Sequence, residues 1–197
     1  MMSSIIVDHL LRTFPTGTNT GIAYIYCNYQ PGLEQNIQDF LLCVLRQLVQ
    51  PLATIPQEIQ ILYKHHAAEH KRPTQRETTR LLESTIPLYS KVFLIVDALD
   101  EYHLSGHERQ KLLVEKIFGL QKRTQLSFLA TSRPNLEIEA QFKGYLQREI
   151  RAHESDIVSF VDGQIPRLLR SQISTHPAFA DLQQMAKAAI ADAVDGM

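Results

Sequence analysis

Apolar residues recur along the chain with two spacings, one typical of helices and one of strands. The helical spacing covers residues 1–13, 35–50, 58–69 and 110–120. Thr74 followed by Glu77 fits a capping box and predicts the start of a further helix. A run rich in β-branched and aromatic residues predicts a strand over residues 22–29, after a loop over 15–21, and apolar runs predict strands over 92–96 and 126–130. A fourth strand is expected over residues 147–150. Strands that alternate with helices predict an α/β fold built on a parallel sheet.

Residues 92–96, Val-Phe-Leu-Ile-Val, form an uninterrupted apolar run. A strand without polar alternation is typical of the centre of a parallel sheet, where helices cover both faces. From Ser155 onward the pattern becomes purely helical and ends with a helix over residues 179–194. We therefore expect an α/β domain over residues 1–152 and the start of a helical subdomain over residues 153–197.

Three carboxylates follow this apolar run directly, in the sequence Asp97-Ala98-Leu99-Asp100-Glu101. Ligands of open parallel sheets bind beyond the C-terminal ends of the strands. A carboxylate there can hold Mg²⁺ that bridges substrate phosphates, and a second carboxylate can orient the attacking water. Asp97 is therefore the candidate metal ligand, and Asp100 and Glu101 are candidates for positioning water. The alternative is that Asp97 caps a turn and the other two are solvated.

A second strand end carries an arginine, because residues 126–130 are followed by Thr131-Ser132-Arg133-Pro134. About thirty residues separate the two strand ends, which is room for one crossover helix, so the strands can lie side by side. Arg133 would then emerge at the same sheet edge as Asp97, where a guanidinium can stabilise a terminal phosphate. The alternative is a surface salt bridge, for instance to Glu101. Together the two strand ends predict a phosphate-handling ancestry.

Composition narrows the classes of partner and location. Of 197 residues, 44% are hydrophobic and 21% charged, as in ordinary globular domains, and the net charge of -1 provides no positive field for nucleic acid or anionic membranes. Cys27 and Cys43 form no CxxC pair and are predicted to be buried, reduced thiols. No apolar run could span a bilayer, and Asp8 and His9 interrupt the first one, so no secretory signal is expected. The expected location is intracellular and cytoplasmic.

Several stretches resemble a known family. FLIVDALDE (residues 93–101) and FLATSRP (residues 128–134) resemble the Walker B and sensor motifs of NACHT-type NTPases, and more narrowly those of nephrocystin-like N-terminal modules in fungal signalling proteins. IAYIYCNYQ is similar to the second strand of such modules, REIRAHESDIVSFV to the last strand and the helix after it, and ADAVDGM to the end of a later helix. The resemblance covers nearly the whole chain and is more specific than any single motif.

The resemblance implies a fold, a cofactor and roles for particular residues. It implies a three-layer, P-loop NTPase-like parallel sheet, with Mg²⁺ and ATP bound by the family, Asp97 on the metal and Arg133 as the sensor of nucleotide. Such modules hold the phosphates with GxxxxGK[ST], a motif that these 197 residues lack. Residues 1–13 resemble the helix that follows this loop, and the family's sheet places the missing first strand between residues 128–130 and 147–150. The chain is thus interpreted as a fragment of a signal-transduction NTPase of the STAND class, truncated at both ends, without ATPase activity alone and without retained Mg²⁺–ATP.

Other functions stay open from the sequence. An active ATPase would result if the loop lay upstream of a mis-assigned start. A non-catalytic interaction domain would self-associate, or pair with intact NACHT proteins, through an exposed sheet edge. A metal nuclease that uses the three carboxylates is a weaker alternative, because this chain lacks the basic surface expected for nucleic-acid binding.

Two polar stretches are assigned to solvated helix faces. His65, His66 and His70 form an HHxxxH pattern in which two histidines four residues apart could share a metal, but no further ligand is near in sequence. The segment over residues 64–80 is locally basic and could contact a phosphate or a partner. We predict solvent-exposed helices for both.

Overall fold

A computed structural model describes residues 2–15, 17–27, 36–102 and 107–151. Beyond residue 151 it also describes residues 155, 156, 159, 163, 184 and 185. Three strands form its sheet in the order β1-β2-β3. They are β1 (Thr20–Tyr26), β2 (Lys91–Asp97) and β3 (Leu126–Ala130), and both neighbouring pairs are parallel. The predicted α/β class with a parallel sheet is confirmed.

Six α-helices precede, connect or follow these strands in the described part of the chain. They are α1 (Met2–Thr13), α2 (Ile37–Val49), α3 (Gln57–Glu69), α4 (Gln75–Thr85), α5 (His107–Arg123) and α6 (Leu136–Gln141). The first five coincide with the predicted helices to within a few residues, whereas α6 was not predicted. The capping box at α4 is present, because Thr74 and Glu77 each accept a hydrogen bond from the other's backbone N–H.

Helices cover both faces of the central strand. Val92, Leu94 and Val96 are buried in a core that also contains leucines and isoleucines of α2, α4 and α5. Ile95, equally buried, points to the opposite face, where the ring of Phe93 lies 5.7 Å from that of Phe14, just after α1. Since successive side chains of a strand alternate between faces, α1 lies on one face and the other helices on the second. The predicted three-layer arrangement is confirmed.

Gly21 lies inside β1, so its assignment to the preceding loop was wrong. A Cβ atom at this position would lie 2.9 Å from Leu48 Cδ2 and 3.0 Å from Val92 Cγ2. The glycine is therefore a strand residue that allows α2 to pack closely on the sheet, not a turn residue. Close approach of a neighbouring element is a common reason for glycine inside a strand.

Three further predictions were wrong in the described residues. Residues 147–150 form no strand. Leu146 just before them and Ile150 at their end are 99% and 60% exposed, so the segment has no buried face to hold it in a sheet. Cys43 is exposed, because it lies on the side of α2 away from the core, while Cys27 is buried as expected. His66 is only 8% exposed, because its ring packs beside α4 with Nε2 3.2 Å from a Glu77 carboxylate oxygen.

Residues Met1–Tyr145 and Leu146–Met197 form two compact units. The first contains the sheet and helices α1 to α6. Most of the second, including the predicted helix over residues 179–194 and the ADAVDGM stretch, lies outside the described residues, and the predicted boundary at residue 152 stays a prediction. None of the described helices combines the length and hydrophobicity that crossing a bilayer requires.

Candidate functional site

The carboxyl ends of β2 and β3 lie side by side. Val96 is in register with Ala130, and the backbone N–H of Thr131 donates to the Val96 carbonyl over 2.9 Å. Beyond the strands, the Leu99 N–H donates to the Thr131 carbonyl over 2.8 Å. The residues that follow both strands are therefore held together by the backbone itself.

A tight turn after β2 places the second and third carboxylates. Ala98 has φ 52° and ψ 52°, a left-handed conformation that costs a residue with a Cβ roughly 1–2 kcal/mol. Its N–H donates to the Thr131 hydroxyl over 3.1 Å, and the buried Leu99 accepts a 2.8 Å hydrogen bond from Gln110. These contacts hold the short 3₁₀ turn at Leu99–Glu101, which carries two carboxylates to the rim of the sheet.

Two hydroxyls hold one oxygen of Asp97. Ser3, fully buried in the first turn of α1, donates to Asp97 Oδ1, and Thr131 donates to the same oxygen over 2.6 Å. Partial burial raises the pKa of Asp97, but the hydrogen bonds from these hydroxyls outweigh it and hold that pKa below its usual value. Asp97 is therefore an ionised carboxylate whose position is fixed from α1 and β3.

Arg133 is bound by the turn after β2. Its Nε donates to Asp100 Oδ2 over 2.6 Å, and its backbone N–H donates to Asp100 Oδ1 over 3.2 Å. Nη2 lies 3.7 Å from Glu101 Oε1, a looser contact. The predicted alternative, a salt bridge to Glu101, is thus present only as the longer of two contacts, and Asp100 is the main partner.

These residues surround an open depression of about 280 Å³ at the carboxyl edge of the sheet. It is lined by Asp97, Ala98, Asp100, Glu101, Thr131, Ser132 and Arg133. All four residues singled out from the sequence therefore meet at one place, as the strand order requires.

Ser3 and Thr131 were missed from the sequence. Thr131 directly follows an apolar strand, a position that favours a site residue, but any polar residue there gives the same signal. Ser3 is a small polar residue in an apolar helix, and nothing in its spacing reveals that it faces Asp97.

The oxygen ligands at this edge fit a divalent cation that shares its coordination with phosphate. Asp97 Oδ2 receives no hydrogen bond from the described residues, whereas Oδ1 receives two. In the described ranges no group of three histidine, cysteine or acidic side chains could hold a metal unaided. Mg²⁺ commonly binds through one or two carboxylates completed by water and substrate phosphates. The residues present fit that arrangement, in which Asp97 Oδ2 would be the protein ligand.

Similarity to known proteins extends to a protein family and to a solved structure. No curated protein is similar enough to match. Among solved structures, a Walker-type ATPase of Pyrococcus abyssi is similar at 11% sequence identity with a TM-score of 0.44, over 96% of this chain and 61% of that one. The family described as Nephrocystin 3, N-terminal matches residues 1–133, a span that includes both strand ends from Asp97 to Arg133. Because that match covers well over half of the chain, this chain belongs to the Nephrocystin 3 N-terminal family.

Proposed function

We propose that this chain is a nucleoside-triphosphate-handling module of a signal-transduction NTPase, with the nucleotide's phosphates and Mg²⁺ at the edge defined by Asp97 and Arg133. We further propose that the 197-residue polypeptide alone does not hydrolyse ATP. The family and the α/β sheet support the first statement. The absence of a GxxxxGK[ST] sequence supports the second.

One observation carries the proposal. An ionised carboxylate and a guanidinium follow two adjacent parallel strands and line the same depression. Asp97 and Arg133 thereby offer the two charges that a metal–phosphate group needs, a negative one for the cation and a positive one for the phosphate. Bound Mg²⁺ would supply neutralisation of the phosphate charge. Arg133 would contact a phosphate oxygen, and the carboxylates of the turn after β2 would orient water.

The missing sequence element explains why turnover is not expected from this polypeptide. In a phosphate-binding loop, several backbone N–H groups and a lysine surround the β- and γ-phosphates. Arg133 alone gives one cationic contact, and its side chain is 75% exposed, so water weakens each of its interactions. We therefore expect weak binding of Mg²⁺–ATP, with a dissociation constant of about 1 mM or above, equivalent to about 4 kcal/mol.

The test is a titration of the purified chain with Mg²⁺–ATP, followed by ³¹P NMR, together with an assay of phosphate release. We expect weak binding that Arg133→Ala abolishes and no phosphate release above that of buffer. Arg123→Ala is the matched control, because Arg123 is also ion-paired, to Glu83 at 2.6 Å, but lies at the end of α5 before β3, away from the site. Equal binding by the chain and its Arg133→Ala variant would refute the phosphate site. Micromolar binding that Asp97→Asn abolishes would refute the proposal that tight binding of ATP requires the phosphate-binding loop.

A second candidate function is self-association through the free edge of β3. Thr131 N–H and the Gln125 carbonyl bond to β2, and because backbone groups alternate along a strand, those of Leu126, Phe128 and Ala130 point away from it. They have no hydrogen-bond partner among the described residues. An open edge of this kind favours pairing with another strand.

The other edge of the sheet is closed at its centre. The Gln47 side-chain amide of α2 accepts a hydrogen bond from the Tyr24 N–H over 3.0 Å and donates to the Tyr24 carbonyl over 2.9 Å. Association should therefore use β3 and not β1. Sedimentation of the chain should show a dimer that Phe128→Pro, which forbids strand pairing at that position, converts to a monomer. A monomer at all concentrations would refute this function.

A further inference from the structure

Both carboxylate oxygens of Asp100 are used by one residue. Oδ1 accepts the backbone N–H of Arg133 over 3.2 Å, and Oδ2 accepts Nε–H of the same residue over 2.6 Å. The Asp100 side chain is only 12% exposed, whereas that of Arg133 is 75% exposed. The carboxylate is thus the fixed member of the pair, and the arginine is the member that depends on it for its position.

Glu101, the next residue, is arranged differently. Its side chain is 34% exposed, and its nearest contact with Arg133 is 3.7 Å from Oε1 to Nη2, beyond the range of a normal hydrogen bond. Glu101 therefore keeps oxygen atoms that can accept a hydrogen bond from water. Each oxygen of Asp100 already accepts a hydrogen bond from Arg133, and the Asp100 side chain is the less exposed of the two carboxylates.

We infer that Asp100 is a positioning residue for Arg133, which it holds for contact with phosphate, and that Glu101 is left as the carboxylate that can orient water. This inference rests on the proposed function, because it assigns the means by which Arg133 is presented to a phosphate. The sequence pattern predicts water positioning for both Asp100 and Glu101. Here Glu101 keeps that role, and Asp100 positions Arg133.

The physical reason lies in the freedom of the arginine side chain. An exposed arginine loses rotamer entropy when a ligand fixes it, and a side chain that is already fixed loses less. Asp100 anchors Arg133 at its backbone and at Nε. Among the residues that the structure describes, the terminal Nη groups of the guanidinium then make only the long contact to Glu101, which leaves them for a phosphate oxygen. Preorganisation of this kind strengthens binding without adding a contact.

The test compares two variants that remove the same charge. Loss of a carboxylate from the depression favours any anion, so Asp100→Ala alone would mix this electrostatic gain with the loss of positioning. Glu101→Ala removes an equal charge from the adjacent residue, with the same electrostatic gain and the loss of only the longer contact to Arg133. Binding of tripolyphosphate to the full chain is measured by ³¹P NMR for the unchanged protein, both variants and Arg133→Ala, with circular dichroism to verify folding.

We expect Asp100→Ala to bind tripolyphosphate about three- to tenfold more weakly than Glu101→Ala, the effect of ordering one flexible side chain. Asp100→Asn keeps one oxygen able to accept from Arg133 and should recover part of the difference. Equal or tighter binding by Asp100→Ala and Asp100→Asn than by Glu101→Ala, with Arg133→Ala still weak, would overturn the positioning role alone. Equal binding by Arg133→Ala and the unchanged chain would instead overturn the proposed function.

Discussion

The Thr131 hydroxyl donates a 2.6 Å hydrogen bond to Asp97 Oδ1 and accepts a 3.1 Å hydrogen bond from the Ala98 N–H. The Thr131 side chain thus links the ends of β2 and β3. It donates to a carboxylate and accepts from the N–H of a residue in the left-handed conformation. Ser3 donates to the same oxygen from α1. The placement of Asp97 consequently depends on hydroxyl groups from two other elements of the fold.

Replacement of Thr131 by valine tests this arrangement, because valine keeps the shape and removes the hydroxyl. Asp97 would lose a donor and the Ala98 N–H its acceptor, so we expect a loss of about 1–3 kcal/mol in the free energy of unfolding. Thr131→Ser, which keeps the hydroxyl, should lose less, and Ser132→Ala at the neighbouring exposed position should lose about nothing. Urea unfolding at pH 7 measures all three. Equal stability of the valine and serine variants would contradict the prediction.

The fold was predictable wherever burial dictates the residue type. The run of five apolar residues at 92–96 required a central strand, and the alternation with helices required parallel neighbours, as β2 shows. Residues 147–150, Gln-Arg-Glu-Ile, lacked such a run, and they form no strand. Gly21 was misplaced because a glycine gives the same local signal in a turn and at a close contact between a helix and a strand.

The sequence allowed us to predict which residues of the candidate site follow the strands and therefore meet, but not the contacts between them. Parallel strands bring their carboxyl ends to one edge, so Asp97 and Arg133 had to meet once β2 and β3 were neighbours. Which partner each charge selects depends on side-chain distances, and the sequence does not contain them. Asp100 and Glu101 are adjacent and alike, yet only Asp100 accepts two hydrogen bonds from Arg133.

The capping box of α4 predicts a specific pH dependence. The pKa of Glu77 is lowered to about 2, first by the hydrogen bond from the Thr74 backbone N–H, then by the Thr74 hydroxyl, with His66 adding to the effect. An unfolded glutamate has a pKa of about 4.3. Between these values the unfolded state binds more protons, so stability rises with pH across this window and is lost as pH falls through about 2.

Glu77→Gln removes this titration. We expect the difference in unfolding free energy between the unchanged chain and Glu77→Gln to be constant above about pH 5 and to shrink as pH falls towards about 2. Urea unfolding from pH 7 to pH 2.5 measures it. Thr74→Ala should raise the pKa of Glu77 in an NMR titration of its carboxyl group. A difference that stays constant down to pH 2.5 would show that Glu77 is not held in the capping box.

The two cysteines should differ sharply in reactivity. Burial raises the pKa of the Cys27 thiol to about 12, with Asp97, Asp100 and Glu101 adding to the effect, whereas Cys43 is exposed. Because the thiolate is the reactive form, a disulfide reagent such as DTNB at pH 8 should titrate one thiol rapidly and the second only after unfolding. Cys43→Ser should abolish the rapid phase. A rapid phase that survives in Cys43→Ser would place Cys27 in a solvent-accessible position and contradict the packing of β1.

Alanine substitutions at Gly21 and Gly119 should have opposite effects on stability, because Gly21 is closely packed and Gly119 is not. In Gly21→Ala the added Cβ would lie 2.9 Å from Leu48 Cδ2 and 3.0 Å from Val92 Cγ2, so these two fully buried side chains must shift. Overpacking of this kind costs about 1–3 kcal/mol. Gly119 lies in α5, where an added Cβ would come no closer than 3.5 Å to the flexible end of Arg123, and alanine should stabilise the helix by up to about 1 kcal/mol. Thermal and urea unfolding should therefore shift in opposite directions for the two variants. A stabilised Gly21→Ala would mean that α2 does not approach β1 as closely as the structure shows.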